Sequence, residues 1–258
     1  MTPHADWLRP EWQVERVGAL MTTRQGGVSR APFDSLNLRA AVGDDPHAVA
    51  RNQRLLADAI GAVPVYLNQV HGASVARLTA TDLQPGAPVR DADASVTTEP
   101  GIACTVQVAD CLPVLFAAPR GRAVGAAHAG WRGLAAGVLE ATLAQVCAAA
   151  ECAPQDVQAW LGACIGPTRF EVGPDVLEAF GAATTKGSTP RFVAKGPGKW
   201  YADLPALARS RLQAAGIGAL GGGRWCTVSE PSRFFSFRRD RVTGRMAALV
   251  WIDRARAG

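Results

Sequence analysis

Apolar runs of strand length, punctuated by glycine and proline, recur along this chain, and two of them follow one another closely. Residues 105–116 read TVQVADCLPVLF, a turn follows at 119–122, and residues 123–133 read AVGAAHAGWRG. Runs of this length bounded by Pro and Gly predict buried neighbouring strands. Further strands are predicted within 12–23, at 65–71 running into a turn at Gly72, and at 75–80. Others fall at 157–165, near 225–228 and at 246–252. A period of 3.6 marks the helices. Pro46 follows Asp45, Val49, Leu56 and Ile60 share one face, and Gly61 supplies the stop. Leu134, Val138, Leu139, Leu143 and Val146 form an apolar stripe over 133–150, which predicts one long helix. A short helix is expected after Gly173, and another over 203–215 through Leu204, Leu207, Ala208 and Leu212. Residues 184–200 are rich in Gly, Lys, Thr and Pro and predict a mobile loop. No internal repeat is visible, and strands and helices mix without strict alternation. That pattern predicts an α+β fold, a mixed α/β layered sandwich, and argues against a barrel.

Bulk properties narrow the class. The 258 residues, 48% of them apolar, suffice for one well-filled core, and a single domain over 1–258 is expected. No apolar run has the roughly 18 residues of a membrane span, and the opening MTPHADW lacks the basic and apolar regions of a secretory signal. A cytoplasmic location is the expectation. The net charge of +5 is spread along the chain and includes only three lysines. Its one dense cluster, 233–245, interleaves arginines with Phe234, Phe235, Phe237 and Asp240. That cluster reads equally as a solvated turn or as an anion site, and a small anionic substrate suits it at least as well as a nucleic acid. Neither nucleic acid nor membrane is expected as a partner. The six cysteines contain no C-x-x-C pair, and Cys104, Cys147, Cys164 and Cys226 lie in apolar surroundings as small core residues.

Candidate chemistry concentrates in the two central runs. Cys111 follows Asp110 in the first, and His128 precedes Gly130-Trp131-Arg132-Gly133 in the second, with His71 at the mouth of an earlier turn. Two imidazoles and one thiolate make a plausible catalytic zinc set, in which three protein ligands leave a fourth position open. The start of the helix after His128 would add backbone amides suited to an anion. Three other readings use the same atoms. Cys111 could be a nucleophile with His128 as base, oriented by Asp110 or Asp93. The His₂Cys set could hold copper, although four histidines and three methionines are few for a multicopper centre. Finally, the residues could simply pack in a non-enzymatic scaffold.

The motifs NQVHG (68–72), DAS (93–95), ADCLPVLF (109–116), AAHAGWRG (126–133), IGP (165–167), FEVG (170–173) and FFSFRRDRVTGR (234–245) together resemble the YfiH family, also called the laccase-domain or polyphenol oxidase family. The likeness spans about 21–251. It implies a layered fold similar to that of cysteine hydrolases. It also implies purine nucleoside phosphorylase activity on adenosine, inosine or methylthioadenosine with phosphate, and an adenosine deaminase activity. Copper-dependent phenol oxidation or action on a peptidoglycan precursor are the alternatives. The family's zinc ligands fall by motif on His71, Cys111 and His128, which are also the catalytic candidates; zinc, or else Cu(2+), is the cofactor implied. Phosphorolysis also needs a site for the phosphate dianion; on chemical grounds, and not by motif, Arg132 at the helix start, Arg24 or the Arg238/Arg239 pair could supply it, with Asn68 and Asp93 as further substrate-site candidates and Asp93 read as supporting the site.

Overall fold

The computed structural model describes residues 3–12, 14–182 and 191–254. Two mixed sheets carry the architecture. The first orders β1 (Val17–Met21), β13 (Met246–Ile252), β5 (Ile102–Val108) and β2 (Val63–Val65). The second orders β12 (Ala219–Gly222), β8 (Gln158–Leu161), β6 (Leu112–Ala117), β7 (Val124–Ala129), β4 (Ala94–Thr97) and β3 (Val75–Arg77). A small third sheet joins β10 (Phe192–Gly196), β11 (Lys199–Ala202) and β9 (Glu171–Val172).

Side-chain alternation explains how the layers stack. On β13, Met246, Ala248, Val250 and Ile252 enter one core with Cys104, Val106 and Val108 of β5 and with Leu115, Ala117, Val124 and Ala126 of the second sheet. Ala247, Leu249 and Trp251 face the other way, onto Leu56 and Ile60 of helix α1 (Pro46–Ile60). On β6, Leu112, Val114 and Phe116 instead meet helices α3 (Val138–Ala150) and α5 (Leu204–Ala214). The order is therefore helix, sheet, sheet, helix, with strands buried on both faces. That burial is why β13 and β6 read as unbroken apolar runs.

Local signals act where they were expected. The Asp45 side chain accepts the His47 N–H at the start of α1, and Gly61 closes that helix in the left-handed conformation, φ 66°. The departures have physical causes. The run 105–116 is not one strand. Asp110 turns it at φ 90°, so that β5 and β6 lie in different sheets. The long helix expected over 133–150 is two, α2 (Trp131–Ala135) and α3, because Gly137 adopts φ 93° between them. Residues 192–202 form the β10–β11 hairpin where a loop was expected, while 183–190 lie outside the described residues. Residues 225–228 make only an isolated bridge, Cys164 to Cys226, and residues 66–72 leave the sheet after β2. Two further short α-helices are α4 (Pro174–Ala179) and α6 (Phe237–Asp240).

Candidate functional site

Strand β7 delivers the first group. Val124 and Ala126 point into the core between the sheets, so His128, two residues further on, takes the same face and is almost wholly buried. Cys111 stands at the start of β6, beside the turn that Asp110 forces. That turn is clamped: the Asp110 carboxylate accepts the Thr227 hydroxyl at 2.6 Å and the Arg238 N–H at 2.6 Å, and its carbonyl accepts the Ile165 N–H at 2.9 Å. His71 is exposed and sits in a left-handed conformation, φ 62°, in the loop after β2.

One carboxylate binds these segments together. Asp93, immediately before β4, is fully buried. Its Oδ2 accepts the main-chain N–H of Val70 at 3.2 Å and of Gly72 at 2.6 Å, and its Oδ1 accepts that of His71 at 2.9 Å. The same Oδ1 lies 2.8 Å from His128 Nδ1. Asp93 therefore holds the backbone of one histidine and the ring of the other. Because the carboxylate accepts at Nδ1, the neutral His128 ring offers Nε2 as its ligand atom, as in carboxylate–histidine–metal arrangements.

The ligand atoms of His71, Cys111 and His128 all lie within 4.8 Å of one another. Cys111 Sγ is 3.9 Å from His71 Nε2, and the two imidazole rings meet edge-on at 4.9 Å. Metal–nitrogen and metal–sulfur bonds of about 2.0–2.3 Å span such separations, so the donor set fits a single ion. Electrostatics agrees with a thiolate. Burial alone would raise the Cys111 thiol, but the charge of His128 and hydrogen bonds from both histidines lower it to about 6. Burial would likewise depress His128, yet the Cys111 thiolate and the Asp93 hydrogen bond raise it to about 9. Gly130 gives the group its room: a Cβ there would come 3.0 Å from the His71 ring and 3.1 Å from Cys111 Sγ. Gly133 does the same one turn later, where a Cβ would meet the Gly72 carbonyl at 2.6 Å.

The group opens into a cleft of about 380 Å³, a size that suits a small organic ligand. His71, Cys111 and His128 line it together with Gln69, Gln107, Phe237, Arg39 and Arg245. The arginines expected to serve phosphate are placed elsewhere. Arg24 donates to the carbonyls of Asp34 and Pro231 and stacks on Phe235. Arg132 stacks on Trp131. Arg238 donates to the Glu171 carbonyl and lines a separate surface cleft, and Arg239 braces the carbonyls of Thr227 and Phe234 and pairs with Asp240. Asn68 donates to Asp91, and buried Asp93 faces the two histidine segments instead of the cleft. Gln69 and Gln107 escaped the sequence reading because they meet only through tertiary structure: the Gln69 amide donates to the Gln107 carbonyl and accepts its main-chain N–H across 38 residues, and the Gln107 amide donates to the Leu38 carbonyl. Phe237 and Arg245 lie inside the 234–245 motif, but nothing in it ranks them above its other arginines.

The family model for multi-copper polyphenol oxidoreductase laccase matches residues 18–253. The chain belongs to this laccase-domain, YfiH-type family. A Pseudomonas aeruginosa member named purine nucleoside phosphorylase is 49% identical over 96% of this chain and 98% of its own length. The Escherichia coli purine nucleoside phosphorylase YfiH is 49% identical over 94% of this chain and 97% of its own. The solved structure of a Neisseria meningitidis protein superposes with a TM-score of 0.88 at 46% identity, over 96% of this chain and all of that one. YlmD of Geobacillus stearothermophilus superposes at 0.89 and 33% identity, over 98% of both chains. The laccase-domain fold is thus shared throughout. Among the described residues no helix is long and apolar enough to cross a membrane.

Proposed function

We propose that this laccase-domain chain is a metal-dependent purine nucleoside phosphorylase, with zinc held by His71, Cys111 and His128. The observation that carries the reading is the convergence of those three ligand atoms in the lining of a cleft, in a chain whose relatives bear the phosphorylase name over nearly their whole length. Bound there, zinc supplies Lewis acidity and one open position for a substrate oxygen or water. The protein's own part is positional. Asp93 fixes the His128 ring and the His71 loop, Gly130 keeps the approach clear, and the cleft admits a nucleoside beside phosphate. Phosphate would attack C1′ of the ribose, releasing the purine and ribose-1-phosphate; the same cleft would serve attack of water at purine C6 with the 6-amino group leaving as ammonia, an adenosine deaminase side activity. Copper is disfavoured as a multi-ion centre, since among the described residues His71, Cys111 and His128 form the one group able to hold an ion. The purified protein is expected to carry about one zinc per chain and to release adenine and ribose-1-phosphate from adenosine plus phosphate. Stoichiometric metal without turnover on any purine nucleoside would reject the reading.

A second reading has its own support. With the metal removed, Cys111, His128 and Asp93 are arranged as a thiolate, an imidazolium and an orienting carboxylate, the layout of a thiol hydrolase acting, for example, on a peptidoglycan precursor. Iodoacetamide separates the two. The expected result is slow labelling of Cys111 in the metal-loaded protein and rapid labelling after chelation. Because the thiol is lowered to about 6, labelling of the chelated protein should persist to near pH 6 and fall only below it, as the thiolate takes up its proton. Rapid labelling with metal in place would favour the hydrolase.

A further inference from the structure

Two arginines from distant parts of the chain line the same cleft as the histidine–cysteine group, Arg39 and Arg245. A single buried side chain seats both. Asn37 Oδ1 accepts the main-chain N–H of Arg39 at 3.1 Å and that of Arg245 at 2.9 Å, and the Leu38 N–H donates to the Arg245 carbonyl at 3.1 Å. Asn37 Nδ2 donates in turn to the Arg39 carbonyl at 3.0 Å and to Asp44 at 2.9 Å. The Arg245 guanidinium is anchored through Nη1 on the carbonyls of Thr243 and Gly244, and it lies against Phe237. Among the described residues, neither guanidinium forms an ion pair with a carboxylate. The pair is also close enough to interact. Burial and then the charge of Arg39 lower the Arg245 pKa, with Cys111 and Asp110 opposing in part. Two cations held together without a carboxylate repel one another, and a multiply charged anion between them would relieve that repulsion.

We infer that Arg39 and Arg245 form the subsite for the phosphate dianion, beside the His71–Cys111–His128 group. The inference rests on the phosphorylase reading and gives its co-substrate a place. There, an oxygen of hydrogen phosphate forms the new bond to C1′ as the C1′–N9 bond breaks. The electron pair of that bond stays on the purine, and the proton lost by hydrogen phosphate ends on the base. Planar guanidinium groups suit such an oxyanion through paired N–H donors.

The experiment is a phosphate titration of the metal-loaded enzyme, by calorimetry without nucleoside and by steady-state kinetics with adenosine. Arg39→Ala keeps the main-chain bonds to Asn37 and therefore the local structure. It is expected to raise the KM for phosphate and weaken phosphate binding at least about tenfold, the loss of one charge-assisted contact. The KM for adenosine and the zinc content should not change. Arg245→Lys should move phosphate binding in the same direction, and Arg132→Ala, whose side chain stacks on Trp131 and does not line the cleft, should leave it unaltered. If Arg39→Ala and Arg245→Lys both keep wild-type phosphate binding while the enzyme cleaves adenosine, the subsite assignment is overturned and the phosphorylase reading stands. If the wild type binds phosphate, loses it on Arg39→Ala, and cleaves no nucleoside, the subsite stands and the phosphorylase reading falls.

Discussion

Cys111→Ala is expected to abolish nucleoside cleavage and to leave the purified protein nearly free of zinc. Structural zinc sites bind with roughly 10–16 kcal/mol shared among four ligands, so one thiolate contributes about 2.5–4 kcal/mol, or roughly 10²–10³ in affinity. Cys111→Ser should behave almost as badly, because a hydroxyl stays protonated where the thiol, held at about 6, is already ionised at neutral pH. The protein itself should remain folded. Cys111 lies at a turn held from Asp110 by Thr227, Arg238 and Ile165, and none of those bonds uses the sulfur. A second readout separates loss of a ligand from loss of fold. In the metal-free protein His128 is raised to about 9 chiefly against its burial by the neighbouring thiolate, so its NMR titration should move down in Cys111→Ala. Retention of both zinc and turnover in this variant would remove Cys111 from the proposed chemistry altogether.

What the chain discloses before folding is whatever rests on local periodicity. The bounds of α1 were readable because Asp45, Pro46 and Gly61 act on their immediate neighbours. Strand β13 was readable because both its faces are buried. The antiparallel pairing of β6 with β7, which puts Pro113 opposite His128, was visible as two apolar runs about a turn. The path between β5 and β6 was not, since an apolar run carries no mark of the sheet it joins, and the left-handed turn falls on an aspartate where glycine would have announced it. Gly137 is a single glycine in an alanine-rich stretch and gave no sign that it splits the helix. The hairpin over 192–202 leaves most of β10 exposed and its apolar residues are interrupted by lysine, glycine and proline at 195–199, so it lacks the apolar alternation that betrays a strand. The site divides in the same way. His71, Cys111 and His128 stood out by chemical type, whereas Arg39, Gln69, Gln107 and Arg245 reach the cleft only through contacts between remote segments. Arg132 at a helix start, Arg24 on a loop and the Arg238–Arg239 pair are the arginines that local sequence offers for phosphate, and in the fold Arg239 braces carbonyls while Arg24 and Arg132 stack on rings.

Asp93→Ala is expected to be the most damaging substitution for the apo protein, although Asp93 does not itself line the cleft. It would leave three main-chain N–H groups, at Val70, His71 and Gly72, and the His128 ring N–H without their acceptor in the interior. Removing one member of a buried charged network costs roughly 3–5 kcal/mol, which in a chain of this size lowers Tm by on the order of 10 °C. Loss of the group that orients a metal-binding histidine also weakens metal affinity about 10–100-fold. Asp93→Asn tests the electrostatic share separately. It keeps the shape but sets an amide NH₂ against a cluster of donors, so it should recover only part of the stability. The pH dependence supplies the sign. Burial would raise the Asp93 pKa, but the bonds from His128, Gly72 and His71 outweigh it and hold the carboxyl below its ordinary range. A depressed acid stabilises the fold fully above its unfolded value, near 3.9, and loses that contribution as pH falls through the lower folded value. His128 works in the opposite sense in the metal-free protein: its stabilisation is complete below about 6.5 and is lost as pH rises through about 9. The stability gap between wild type and Asp93→Asn should therefore be widest between about pH 4 and pH 6.5, where both contributions are complete, and should narrow on the acid side below about pH 4. A gap of constant size from pH 3 to pH 9 would show that Asp93 acts through shape alone, and equal Tm and zinc content in both variants would deny it any part in holding the two histidines.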